Sequence, residues 1–227
     1  MNRKFMRKPE QFQQWPRLLW CLLLGAGGLL PGGCAGPGAA RHPAVKDDLA
    51  DFARMTVQSR RAVDKALASL DGLSATTNYP PTLVKAYQQE VDDVEVGSVR
   101  VRARAEAILK RGDVYFETWE RHVAQMQDAL AREGAEEQRP ALLDNFHRIE
   151  ALSGRTGDAF DRFLAGMREL DEELDQNPGT VAAGPTRALL ASTQADGRTV
   201  EQDLDLIQQE LAGLNARVKA INTAGKQ

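Results

Sequence analysis

The sequence predicts an all-α fold: an elongated antiparallel bundle or coiled coil of about four helices, preceded by an N-terminal signal segment. Two observations predict it. The first is an alternation of four and three residues between apolar or small side chains. It runs from Val84 through Tyr87, Val91, Val94, Ser98, Val101, Ala105, Ile108, Gly112, Tyr115, Trp119 and His122 to Met126. It returns from Leu142 to Leu174 and from Val200 to Ile221. A repeat averaging ~3.5 residues places one stripe along a helix and favours left-handed packing against a neighbour. The second is composition: 42% of the residues are hydrophobic but only 6% aromatic, which suits a slender bundle more than a thick globular core. A chain of 227 residues is long enough for one or two domains.

Residues 1–33 read as a secretory, lipoprotein-type signal. Arg3, Lys4, Arg7, Lys8 and Arg17 precede an apolar stretch from Leu18 to Leu30, which is too short to span a membrane comfortably. Leu30-Pro31-Gly32-Gly33-Cys34 resembles a bacterial lipobox. Gly33 fits the position before the cysteine, and Pro31 departs from the usual leucine. Cys34 is the expected lipidation site. The alternative is an ordinary cleaved signal, cut after Ala40. Ala35 is not aspartate, which by resemblance to known sorting patterns favours the outer membrane. Cysteine use agrees. Cys21 leaves with the signal, and Cys34 alone remains, so no internal disulfide is available.

Residues 34–43 are small and rich in Gly and Pro, as a flexible tether would be. Residues 44–222 form the bundle. Helix one covers about 44–73, with Leu49, Phe52, Thr56, Ser59, Val63, Ala66, Leu70 and Leu73 on its stripe. Ser74 to Pro81 turns the chain, because Pro80-Pro81 cannot continue a helix. Helix two runs from Pro81 to about Glu133, ~78 Å if continuous, with Gly97 and Gly112 as weak points. Gly134 to Pro140 reads as the next turn. Helix three covers about 141–175 and ends at Asn177-Pro178-Gly179. Helix four covers about 186–222, with Gly197 as its soft spot, and residues 223–227 form a disordered tail.

Short connections favour antiparallel neighbours. Helix one is expected along the first half of helix two, helix three along its second half, and helix four back along helix three. In that register Trp119 falls opposite Gly154 and Gly157.

Two segments, AYQQEVDDVEVGSVRVRARAEAILKRGDVYFETW at 86–119 and EQDLDLIQQELAGLNARVKAI at 201–221, resemble a bacterial family of helical lipoproteins catalogued as domain of unknown function 2959. The shared features are a tyrosine, an acidic amphipathic run, an Arg-rich stretch and a closing pair at Phe116 and Trp119. The resemblance implies a helical lipoprotein, consistent with Cys34, and no activity.

No catalytic or metal-binding constellation is expected. His122 and His147 lie on different helices, and no His-x-x-x-His or Glu-x-x-His occurs. Neither a nucleophile elbow nor an internal cysteine is present. Carboxylate pairs such as Asp92-Asp93 and Glu172-Glu173 read as solvated faces. Arg111-Gly112-Asp113 spells an adhesion tripeptide, but within a helix and not on a loop tip. Arg100, Arg102, Arg104, Lys110 and Arg111 make the one basic cluster. Either they pair with acids of a neighbouring helix or they meet an acidic partner or anionic headgroups, with Arg100, Arg104, Arg111 and Trp119 as candidate contacts.

Loss of residues 1–33 removes five basic groups and one acidic group, leaving 24 basic, 31 acidic and a formal charge of −7. That opposes nucleic acid as a partner. The expected protein is a non-enzymatic coiled-coil lipoprotein without cofactor, anchored in the outer membrane and facing the periplasm. Its partners would be the membrane and other envelope proteins or copies of itself. The alternative is a helical module binding an apolar or lipid-like ligand between its helices.

Overall fold

The computed structural model describes residues 43–76, 79–176 and 184–224. The signal segment, Cys34, the tether up to residue 42 and residues 225–227 of the expected tail lie outside the described residues. The helices are α1 Pro43–Ser74, α2 Pro81–Gln125, α3 Ala129–Gln176 and α4 Gly184–Ala224. Their 32, 45, 48 and 41 residues correspond to roughly 48, 68, 72 and 62 Å of helix.

These helices close into a four-membered ring. α1 packs on α2 and α4, and α3 packs on the same two, while the diagonal pairs make no backbone approach within 8 Å among the described residues. Every adjacent pair is antiparallel. Ser59 Oγ donates to the Gly97 carbonyl at 3.0 Å, and Gly72 faces Leu83. Tyr87 Oη donates to the Met167 carbonyl at 2.7 Å, while Phe116 meets Phe146. Arg155 pairs with Asp203 and Gly166 faces Thr193. Arg60 reaches Glu201, and Gln194 reaches Asp71. The ring is therefore an up-down-up-down bundle. The α1–α4 contact, which the linear pairing of helices omitted, closes it.

The four-three stripes become the core. All eight expected positions of α1 are buried, and so are Leu142, Phe146, Ile149, Thr156, Phe160, Phe163, Met167, Leu170 and Leu174 of α3. The polar members are satisfied locally or across helices: Thr56 Oγ1 donates to the Ala53 carbonyl at 2.8 Å, and Ser59 bonds Gly97. A buried hydroxyl with a partner escapes the desolvation penalty an orphaned one would carry.

Three expectations are corrected. First, the connection between α2 and α3 is at Met126–Asp128, not Gly134–Pro140. Met126 is extended, and its N–H donates to the Val123 carbonyl at 3.1 Å. Asp128 then caps α3, accepting from the Leu130 N–H on its carboxylate at 2.9 Å and from the Arg132 N–H on its carbonyl at 3.0 Å. α3 runs through both Gly134 and Pro140. Pro140 removes the N–H that would reach the Glu136 carbonyl, but it lies on the exposed side, where water can serve that carbonyl.

Second, the moved turn resets the α2–α3 register by about four helical turns. Trp119 does not meet Gly154 or Gly157. Gly154 has open space around it, and Gly157 faces Arg102, whose Nη2 donates to the Gly157 carbonyl at 2.8 Å. A leucine at Gly157 consequently has no indole to displace.

Third, the α2 stripe shifts after Gly112. Phe116 and Val123 are buried, whereas Tyr115 and Trp119 are only half-buried. Spacings of four on both sides of Gly112 insert a stutter, which locally unwinds a supercoil. Gly112, expected as a weak point, is a contact point. A Cβ there would lie 2.6 Å from the Phe146 ring.

Burial also sets the acid–base behaviour of all three tyrosines. Desolvation raises Tyr79 above the usual phenol range; it raises Tyr87 far above it, with the Asp171 charge adding; and it pushes Tyr115 up to about 12. The folded state favours the neutral phenol. This stabilisation is complete below the unfolded pKa of ~10 and is lost as pH rises through the folded values. In a spectrophotometric titration, tyrosine ionisation should therefore coincide with alkaline loss of helicity. A phenol ionising near pH ~10 with the helices intact would contradict the burial.

Candidate interaction surface

The basic cluster is divided by the packing. Arg104 and Arg111 turn toward the start of α1. Arg104 Nη1 lies 3.3 Å from Asp48 Oδ1, and its Nη2 pairs closely with Asp51. Arg111 also pairs closely with Asp48. The Asp48 carboxylate is nearly enclosed and sits between two guanidiniums. An ion pair with one buried member resists loss of either partner more than an exposed pair does. These two arginines hold α1 against α2. Arg102 turns the other way, to Asp161 of α3 at 2.5 Å. Arg100 is exposed, and none of the ion pairs among the described residues uses it.

Trp119 ends a chain of edge-to-face aromatic pairs. It meets Tyr115 at 5.6 Å; Tyr115 meets Phe116 at 5.4 Å, and Phe116 meets Phe146 of α3 at 5.2 Å. Such pairs add ~0.5–1.5 kcal/mol beyond area burial. The indole is half-buried against the core, with its N–H enclosed and unpaired among the described residues. Cys34 lies outside the described residues, and so does the side chain of His122. His147 is exposed.

A cavity of about 10 Å³ lies between Asp48, Leu49, Ile108, Arg111, Gly112, Tyr115 and Phe146. That is room for about one water. An acyl chain would need the helices to separate there. Among the described residues no group of three or more His, Cys, Asp or Glu side chains could hold a metal ion, and no helix is long and apolar enough to cross a membrane.

One surface was missed by reading the sequence for cores. Five large apolar side chains are exposed among the described residues: Val96, Val99, Val114, Leu130 and Leu206. Three of them lie on α2. With exposed Ala103 and half-buried Ala107 they occupy an arc of roughly 80° on its outer side, opposite the bundle core. Continued along the helix, the same line carries Lys85, Gln89 and Asp92 before the stripe and Lys110, Glu117 and Arg121 within and beyond it, all exposed. The signal was a second four-three spacing on α2, out of phase with the core stripe and made of smaller residues.

No family model matches the chain, and no curated protein or solved structure matches it either.

Proposed function

We propose that this chain is a lipid-anchored, non-enzymatic helical bundle of the bacterial cell envelope, with a structural or docking role on the periplasmic side of the outer membrane. The observation that carries this reading is the order of the first 34 residues: basic groups, an apolar stretch, small residues, then Cys34. A cysteine in that place is a lipid attachment point by the logic of lipoprotein signals. The remainder suits a docking body. Its helices pack along their lengths, and nine of its arginines pair with an acid of a neighbouring helix. The resemblance of residues 86–119 and 201–221 to the helical lipoprotein family catalogued as domain of unknown function 2959 agrees with this role.

The test is Cys34→Ser in the full chain. The natural protein should fractionate with membranes, and the serine variant should appear in the soluble periplasmic fraction. A processed serine variant that stays with the membrane would overturn the anchor.

A further inference from the structure

We propose that the protein forms an antiparallel two-fold dimer through the outer face of α2, with Val99 of each copy against Ala103 of the other. A second copy of the chain is then the partner in the docking role, and this pairing rests on that role.

The observation is a self-complementary line of side chains. Along the outer face of α2 it reads Lys85, Gln89, Asp92, Val96, Val99, Ala103, Ala107, Lys110, Val114 and Glu117. Laid against its own reverse, centred between Val99 and Ala103, this line from Lys85 to Glu117 pairs each of its four charges with an opposite one, while Arg121 falls beyond it at the level of the partner's Pro81. Lys85 meets the partner's Glu117, and Asp92 meets the partner's Lys110. Val96 meets the partner's Ala107, a large side chain against a small one, as the close approach of two helices requires. A two-fold axis makes each of these contacts twice, the property of an isologous interface.

No other simple register does this. A parallel pair sets Asp92 on Asp92 and Lys110 on Lys110. Sliding the antiparallel pair by one turn sets Asp92 against Val114. Arg100 lies beside the axis, where its long stem can keep the guanidinium at the wet rim.

The charges are also available. All fourteen ion pairs among the described residues use arginine as the cation, and none involves Lys85, Asp92, Lys110 or Glu117. The arginines knit the bundle together, while these four outer charges lack a salt-bridge partner within it. The apolar members are conspicuous for an outer helix face: Val96, Val99 and Val114 are 46%, 61% and 59% exposed. Three valines aligned on one face differ from apolar residues scattered singly over a surface.

Antiparallel pairing places the two Pro43 ends roughly 30 Å apart along the long axis.

The experiment is sedimentation velocity of the full chain in detergent, at low and high salt, with four variants. The natural chain should be a dimer that weakens with salt. Ala103→Glu should be a monomer with unchanged circular dichroism and a melting temperature that no longer rises with protein concentration. Asp92→Lys and Lys110→Asp should each weaken the dimer by roughly 3- to 30-fold, since each disturbs two symmetry-related pairs. The double variant D92K/K110D should regain the natural dissociation constant. A natural chain that stays monomeric overturns the dimer, and so does a dimer indifferent to Ala103→Glu. A double variant no tighter than the single ones overturns the antiparallel register. Membrane fractionation separates this result from the anchor: Ala103→Glu should remain membrane-bound, and Cys34→Ser should still dimerise.

Discussion

Phe160→Ala is expected to destabilise the bundle by ~3–5 kcal/mol and to lower its melting temperature by roughly 6–20 °C. Phe160 is fully buried on α3, in the stretch where that helix faces α2 and α4, and ranks among the largest enclosed side chains. Its removal costs both the transfer of an aromatic ring out of water and the cavity left between rigid helices. Lys65→Ala, on the exposed side of α1, should change stability by no more than ~0.5 kcal/mol. Thermal unfolding followed by circular dichroism measures both. Equal shifts at the two sites would mean that the core stripe is not what holds the bundle. Trp119→Ala should fall between them, because its ring is half-buried.

A single methyl group at Gly197 is expected to cost ~1–3 kcal/mol. In the middle of a helix Gly→Ala normally stabilises, since alanine is the better helix former by ~1 kcal/mol. At Gly197 the new Cβ would lie 2.8 Å from both Leu67 Cδ2 and Phe163 Cε2. Phe163 is fully buried and cannot swing aside without displacing its own neighbours. Gly154 provides the opposite case. It has nothing within 4 Å of an added Cβ, so Gly154→Ala should raise stability by up to ~1 kcal/mol. Opposite signs in chemical denaturation would identify Gly197 as a packing position of α4 and not a soft spot. Two stabilising alanines would refute the close approach of α1, α3 and α4 at that level.

Much of the helical layout was legible in the sequence. The C-terminal end of α1, the start of α2 and the start of α4 followed from Pro80-Pro81 and the Gly/Pro-rich stretch near 177–185, because proline and glycine act on local backbone geometry. The α2–α3 connection did not follow. Gly134-to-Pro140 has a stronger turn composition than Gln127-Asp128, yet the helix passes through it. One capping carboxylate at Asp128 and a solvent-facing proline were enough to reverse the expectation. The basic cluster was legible as a cluster. Its division, with Arg104 and Arg111 turned to α1 and Arg102 to α3, was not, because several arginines close together on one helix reach both neighbours and only the position of their acids selects one.

Which residues would be buried was written in the four-three spacing itself. A helix has one apolar stripe to hide, and that requirement needs no knowledge of what hides it. Which helix would cover each stripe was decided only in the tertiary structure. Heptad stripes on four helices are similar enough to pair in many registers, and the choice among them rests on a few side chains far apart in sequence. Gly112 against Phe146, Gly197 against Phe163 and Tyr87 on the Met167 carbonyl make that choice, because steric fit and directed hydrogen bonds distinguish between registers that burial alone leaves equivalent.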